Sequence, residues 1–258
     1  MAAMTTARPR RPGLALAALA ASLAGAGPAA SGQELFRPEP RAKDALRVLL
    51  VTGGHDHDIS FYSVLDGQAD LDVRVDGYPS ALRREIAPGR GTDVLVLYDM
   101  PAAIEPDQES RLRSFVEAGG GVVALHHAIA GRQAWRWWGE EVVGGRYLLA
   151  AEGERPASTY QHDVELTLRV ALRHPVTAGL DTFRILDESY KGMWISPRAT
   201  VLLTTDVPTS DPPVAWLGPH PKARVVYVQL GHGREAHLHP SYRRLVRNAV
   251  LWAGRRTP

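Results

Sequence analysis

Short apolar runs, each closed by glycine or a polar turn, recur along the first half of the chain. Arg47 to Val51 is a run of strand length that ends at Gly53 and Gly54. Leu71 to Val75 alternates apolar with polar, whereas Val94 to Leu97 and Gly121 to Leu125 are apolar throughout. Strands apolar on every residue belong in a parallel sheet covered on both faces. Between the last two runs the period changes. From Asp107 to Ala118, Leu112, Phe115 and Val116 share one helical face. Pro106 opens that helix and Gly119 to Gly121 close it. Strand, helix, strand in this order predicts an α/β protein: a doubly wound sheet in a three-layer α/β/α sandwich with right-handed crossovers.

The second half is richer in strands, expected at Val164 to Val170, Phe183 to Leu186, Val201 to Thr204, Pro213 to Leu217 and Arg224 to Leu230. A closing helix, Ser241 to Ala253, carries Leu245, Val246, Ala249, Val250 and Trp252 for docking back on the sheet. No internal repeat is visible. One domain is expected over residues 45–256, after a proline-containing linker at residues 33–44.

The first 32 residues read differently. Arg8, Arg10 and Arg11 precede an apolar stretch from Leu14 to Ala26, then small residues up to Gly32. That is the order of a cleavable export signal, and the arginine pair loosely matches twin-arginine export. The stretch is shorter than the ~20 residues a spanning helix needs, and no later segment is long and apolar enough to cross a bilayer. A secreted or periplasmic location follows as the expectation. Removing the signal also corrects the charge, from +2 to −1, because the segment holds three arginines and no acid. A nearly neutral remainder without a basic stripe gives nucleic-acid binding no support. The 258 residues include no cysteine, which excludes disulfides, thiolate ligands and thiol nucleophiles.

What remains for chemistry is histidine. In open α/β sheets, ligands bind beyond the carboxyl ends of the strands. His55 and His57 leave the first strand there, His126 and His127 leave the strand ending at Leu125, and His232 follows the strand ending at Leu230. Asp187 and Glu188 are expected just past the strand that begins at Phe183. Three imidazoles, His55, His126 and His232, with Glu188 as general base or fourth ligand, suit a divalent metal, zinc first. The same groups also suit proton transfer without a metal. His57 is placed as an auxiliary catalytic group. Gly53 and Gly54 are placed where the backbone can approach a ligand, and Trp135 and Tyr147 where a ring can stack on one. His162, His174 and His220 read as turn-forming groups. The glycines do not have the spacing of a dinucleotide fingerprint or a P-loop, so no nucleotide cofactor is expected.

Seven stretches in fixed order resemble the trehalose-utilisation (ThuA-like) family of the class I glutamine amidotransferase-like superfamily. They are Val48 to His57, Gly119 to His127, His174 to Leu180, Asp187 to Tyr190, Pro213 to Trp216, Val226 to His232 and Leu245 to Trp252. The resemblance implies a flavodoxin-like sheet and a carbohydrate ligand. In amidotransferases a nucleophilic cysteine follows the glycine-rich strand; here that position reads Leu125, His126, His127, which closes the thioester route. Two functions stay open. One is an exported enzyme that isomerises or hydrolyses a sugar or keto-sugar; the other is a non-catalytic carbohydrate-binding or accessory module. Neither sets an oligomeric state.

Overall fold

The computed structural model describes residues 42–258, except 84, 85, 87 and 90. The expected signal at residues 1–32 and most of the linker lie outside the described residues. Among the described residues no helix is long and apolar enough to cross a membrane.

Nine strands form the main sheet. In chain order they are β1 (Leu46–Gly53), β2 (Leu71–Gly77), β3 (Val94–Asp99), β4 (Gly121–Leu125), then β6 (Thr159–Val170), β7 (Phe183–Lys191), β9 (Thr200–Thr204), β10 (Pro213–Leu217) and β11 (Val225–Val228). The pair β5 (Gly145–Arg146) and β8 (Trp194–Ile195) forms a small ribbon beside it. Across the main sheet the order is β2-β1-β3-β4-β11-β10-β9-β6-β7. The first five strands are parallel. From β11 onward every neighbour is antiparallel. The sheet is therefore doubly wound in its first half and antiparallel in its second, where β9, β10 and β11 form a meander and the chain from β7 to β9 crosses β6.

Strand alternation sorts the apolar residues into two cores. Val48, Leu50, Val96 and Leu125 face α2 (Pro240–Ala253), which contributes Leu245, Val246, Ala249 and Val250. Leu49, Val51, Leu97 and Ala124 face α1 (Pro106–Glu117), which contributes Leu112, Phe115 and Val116. That is why β1, β3 and β4 are apolar on every residue. A Glu105–Gln108 capping box and Pro106 start α1.

One expectation is corrected. Asp187 and Glu188 do not follow β7 but lie inside it, since the strand runs on to Lys191. Up to Leu186 the strand alternates buried with exposed; from Asp187 to Tyr190 every residue is buried. Polar residues covered on both faces carry no hydrophobic signal, so the pattern ends at Leu186 while the ladder with β6 continues.

Candidate functional site

Three strands deliver their ends to one place. β4 stops at Leu125, and His126 turns the chain with φ +49°, a left-handed conformation rare outside glycine. Such a residue costs about 1–3 kcal/mol and persists only where neighbours hold it. They do here. The His126 Nδ1–H donates to the Gln229 carbonyl at 2.8 Å, and the Tyr227 hydroxyl donates to the His126 carbonyl at 3.2 Å. Both partners lie at the end of β11, which runs parallel to β4.

A carbonyl can only accept, so Nδ1 carries a proton, and in the neutral form of the ring Nε2 is left with its lone pair. That lone pair faces Glu188 Oε2 at 3.1 Å and His232 Nδ1 at 3.3 Å; His232 Nδ1 to Glu188 Oε2 is 3.5 Å. A lone pair against a carboxylate is repulsive unless a proton or a cation lies between them. Donors about 2.0–2.1 Å from a tetrahedral centre stand about 3.3–3.4 Å apart. The three observed separations bracket that edge. Among the described residues, His126, Glu188 and His232 form the one group of three such side chains with donor atoms this close.

Glu188 has a second neighbour. β6 and β7 pair in register at Gln161 with Ser189 and again at Val164 with Asp187, so His162 and Asp163 together oppose Glu188. This is a β-bulge, with Asp163 in the left-handed region at φ +56°. The bulge brings His162 Nδ1 to 3.3 Å from Glu188 Oε1. Burial alone would push the Glu188 carboxyl up; a hydrogen bond from His126, once its Nε2 carries a proton, and the charges of the protonated forms of His126, His232 and His162 outweigh it and hold the group below its ordinary value. Tyr190, two residues on and on the same face, stacks on His126 at 5.2 Å between ring centroids. Its hydroxyl lies 3.2 Å from both ring nitrogens, over the imidazole face and out of line with either lone pair.

These groups floor a cleft of about 330 Å³ walled by Met100, Ala130, Tyr147, Leu149 and Tyr160. The Tyr147 hydroxyl is pushed up to about 12 by burial and by the Glu188 charge, so it is a neutral donor. His55 stands at the edge, its ring stacked 4.5 Å from His127. His55 Nδ1–H donates to the Asp56 carbonyl at 2.7 Å, which leaves Nε2 as an acceptor. His127 is pushed down to about 2 by burial and by the neighbouring His126 and His55, so it stays neutral. A larger cleft, about 470 Å³, lies at the opposite ends of the strands among Arg47, Asp93 and Arg256. It contains none of the histidines.

Of the groups singled out in the sequence, the structure brings together His126, His232 and Glu188, with His55 and Tyr147 on the same cleft. His55 is not among the three convergent donors. His57 is turned away, 3.1 Å from the Tyr62 hydroxyl. Gly53 and Gly54 do not line the cleft; with φ of +114° and +77° they turn the chain out of β1. A Cβ on Gly54 would stand 2.5 Å from the Met100 carbonyl oxygen. Trp135 is also outside, buried between Trp137 and Trp138 in the α1-side core. Its indole packs against two other rings and the Arg113 guanidinium, and packing claims it. His174 and His220 do serve turns, accepting from the amides of Val176 and of Lys222 and Ala223.

His162, read as a turn former, and Tyr160 and Tyr190 are the residues the sequence did not single out. The signal for His162 was the polar triplet Gln161 to Asp163 ahead of an alternating strand, a place where a bulge interrupts the period.

The family profile described as trehalose utilisation (ThuA) matches residues 47–253. No curated protein matches. Among solved structures, a putative ThuA-like protein from Parabacteroides merdae aligns with a TM-score of 0.69 at 18% identity, over 83% of this chain and 91% of that one. One from Bacteroides uniformis aligns at 0.62 and 19%, over 84% and 95%. A cold-adapted β-galactosidase from Rahnella sp. R3 aligns at 0.56 and 15%, over 80% of this chain but 31% of the enzyme. At these identities the structures establish a shared fold, one that is consistent with the glutamine amidotransferase-like superfamily. The match to the family profile spans most of the chain, and the protein belongs to the ThuA, or trehalose-utilisation, family.

Proposed function

We propose that the protein is a metal-dependent enzyme that isomerises or hydrolyses a sugar or keto-sugar in the cleft above β4, β7 and β11. The observation that carries this reading is the triangle of His126 Nε2, Glu188 Oε2 and His232 Nδ1, with sides of 3.1, 3.3 and 3.5 Å. Two imidazoles and one carboxylate are the donor set of catalytic zinc sites that keep a position open for substrate. A divalent cation held there would polarise a substrate carbonyl or hydroxyl oxygen.

The remaining work falls to the protein. His55 Nε2, an acceptor at the cleft edge, takes a proton from the bound ring. His162, oriented by its Nδ1–H to Glu188 Oε1, offers its other nitrogen to a substrate hydroxyl. Tyr147 donates a hydrogen bond from a phenol that stays protonated at neutral pH. Tyr160 and Leu149 flank the sugar face. A cleft of about 330 Å³ is at the small end of ligand pockets, which suits one small sugar. The family description supports a carbohydrate substrate. The order of residues 1–32, that of an export signal, supports a reaction outside the cytoplasm.

The test is elemental analysis of the purified protein, followed by assays on disaccharides and 3-keto-glycosides before and after chelation. One equivalent of divalent metal is expected, with turnover lost on chelation and restored by adding the metal back. A protein that takes up no such metal and converts none of these sugars is not this enzyme. Saccharide binding that survives without metal or turnover would instead identify a binding module. Amino-terminal sequencing of the protein from fractionated cells tests export.

A further inference from the structure

We propose that Asp187 is the positioning residue of this centre: a single buried carboxylate ties the backbone of Glu188 to that of His232 and so sets the spacing of two donors. Its purpose rests on the metal reading above. Its geometry does not.

Alternation along β7 sends Glu188 into the cleft and Asp187 to the opposite face. There Asp187 Oδ1 accepts from the Glu188 amide at 2.8 Å and from the His232 amide at 2.9 Å, while Oδ2 accepts from the Gly231 amide at 2.7 Å. The two segments it joins are more than forty residues apart in the chain. Asp187 is 5% exposed, and burying a carboxylate is costly unless its lone pairs are satisfied. Its three hydrogen bonds all go to backbone N–H groups of the two ligand-bearing segments.

The other end of the same peptide is held as firmly. The Gly231 carbonyl accepts from the Tyr98 hydroxyl at 2.6 Å and from His237 Nε2–H at 2.9 Å. The peptide between Gly231 and His232 is therefore fixed at its oxygen by two donors and at its N–H by Asp187. Gly231 has φ +116°, and a Cβ there would collide with the Tyr242 hydroxyl, so the turn has room for glycine alone. The His232 ring itself is about one-third exposed and is met by the His126 and His162 rings of the same cluster. Its place relative to Glu188 is inherited from this peptide.

The experiment uses the full chain, Co²⁺ as a spectroscopic probe and Zn²⁺ in chelator competition. Asp187→Asn keeps the shape but turns one acceptor into a donor facing N–H groups. Its expected effect is a 10–100-fold loss of Zn²⁺ affinity, the range typical of groups that orient ligands, with a shifted Co²⁺ band. The amide resonances of Glu188, Gly231 and His232 should move and exchange at least about 10-fold faster, as for any lost protecting bond, while Val225–Val228 stay protected. Asp93→Asn, at the far end of the sheet, is the control: it should lower the melting temperature and leave both metal readouts alone.

Unchanged affinity and band in folded Asp187→Asn overturn the proposal. So does an equal metal loss in Asp93→Asn at equal loss of stability. If the unaltered protein binds neither metal, the enzyme reading fails, and the amides then decide: their shift upholds the strut and its absence refutes it. Should Asp187→Asn not fold, Tyr98→Phe removes one bond on the Gly231 oxygen and keeps the ring. A His232 amide shift with a several-fold Co²⁺ loss then supports the arrangement, and no change in either overturns it.

Discussion

The two ends of the parallel strands carry clefts of opposite character. At the amino ends the larger one, about 470 Å³, is rich in charge, and both of its carboxylates are already paired. Arg47 meets Asp93 at 2.7 Å, Arg256 meets Asp44 at 3.1 Å, and Arg255 donates to the Lys222 carbonyl. At the carboxyl ends the smaller one gathers three side-chain atoms able to hold a cation, one of them on a residue strained to keep its place. The difference teaches that size is a poor guide to a site. Paired charges in water have little left to offer a ligand, whereas convergent nitrogen and oxygen atoms can share a proton or a cation.

The strongest way to break this contrast is to remove a donor. His126→Ala and Glu188→Gln should each weaken Zn²⁺ binding by more than about 100-fold, beyond what outer groups supply. Calorimetric titration of the folded variants checks this, and near-normal affinity in either would leave the triangle without a purpose. A smaller effect is expected at the wall. Tyr160→Ala should cost about 2–10-fold in saccharide affinity, the equivalent of one aromatic contact, with metal content unchanged.

At the opposite end the effect should be confined to stability. Asp93→Asn should lower the melting temperature by about 1–4 °C, the scale of a solvent-accessible ion pair in a chain this long. Burial opposes ionisation of Asp93, but the hydrogen bonds and charge of Arg47 hold its carboxyl below the ordinary value. Its contribution is therefore present above the unfolded value near about 3.9 and lost as pH falls through the lower folded one. The gap between the two proteins should stay constant above about pH 5 and close below about pH 4 in thermal melts.

The smallest predicted effect sharpens the carboxyl side. Burial holds His237 below the ordinary imidazole value, between the Ser60 hydroxyl and the Gly231 carbonyl. An unfolded chain takes up a proton there near about pH 6.5, so the stability of the neutral, buried ring is present above that pH and lost below it. His237→Gln should flatten the fall in melting temperature between about pH 6.5 and 5. A variant that tracks the unaltered protein across that window would show that another group carries the slope.

The sequence by itself determined the parallel half. β4 begins and ends where the apolar pattern does, β3 begins there, and α1 is displaced from its expected span by a single residue at each end. Apolar periodicity reports burial by neighbours that every such strand will have, whatever its partner, so it is legible locally. His126 was legible for the same reason, because it directly follows such a strand, and His232 because it comes four residues after one.

The tertiary structure alone decided the rest. Glu188 lies in a strand whose last residues are polar and covered, and His162 faces it only because β6 carries one residue more than β7 at the bulge. Gly53 and Gly54 looked like ligand contacts and turned out to be the turn that delivers His55; Trp135 looked like a stacking ring and is core. Register between strands, and which side chain a bulge re-aims, depend on pairing between residues distant in the chain. No window of sequence contains both partners, and so none can state the distance between them.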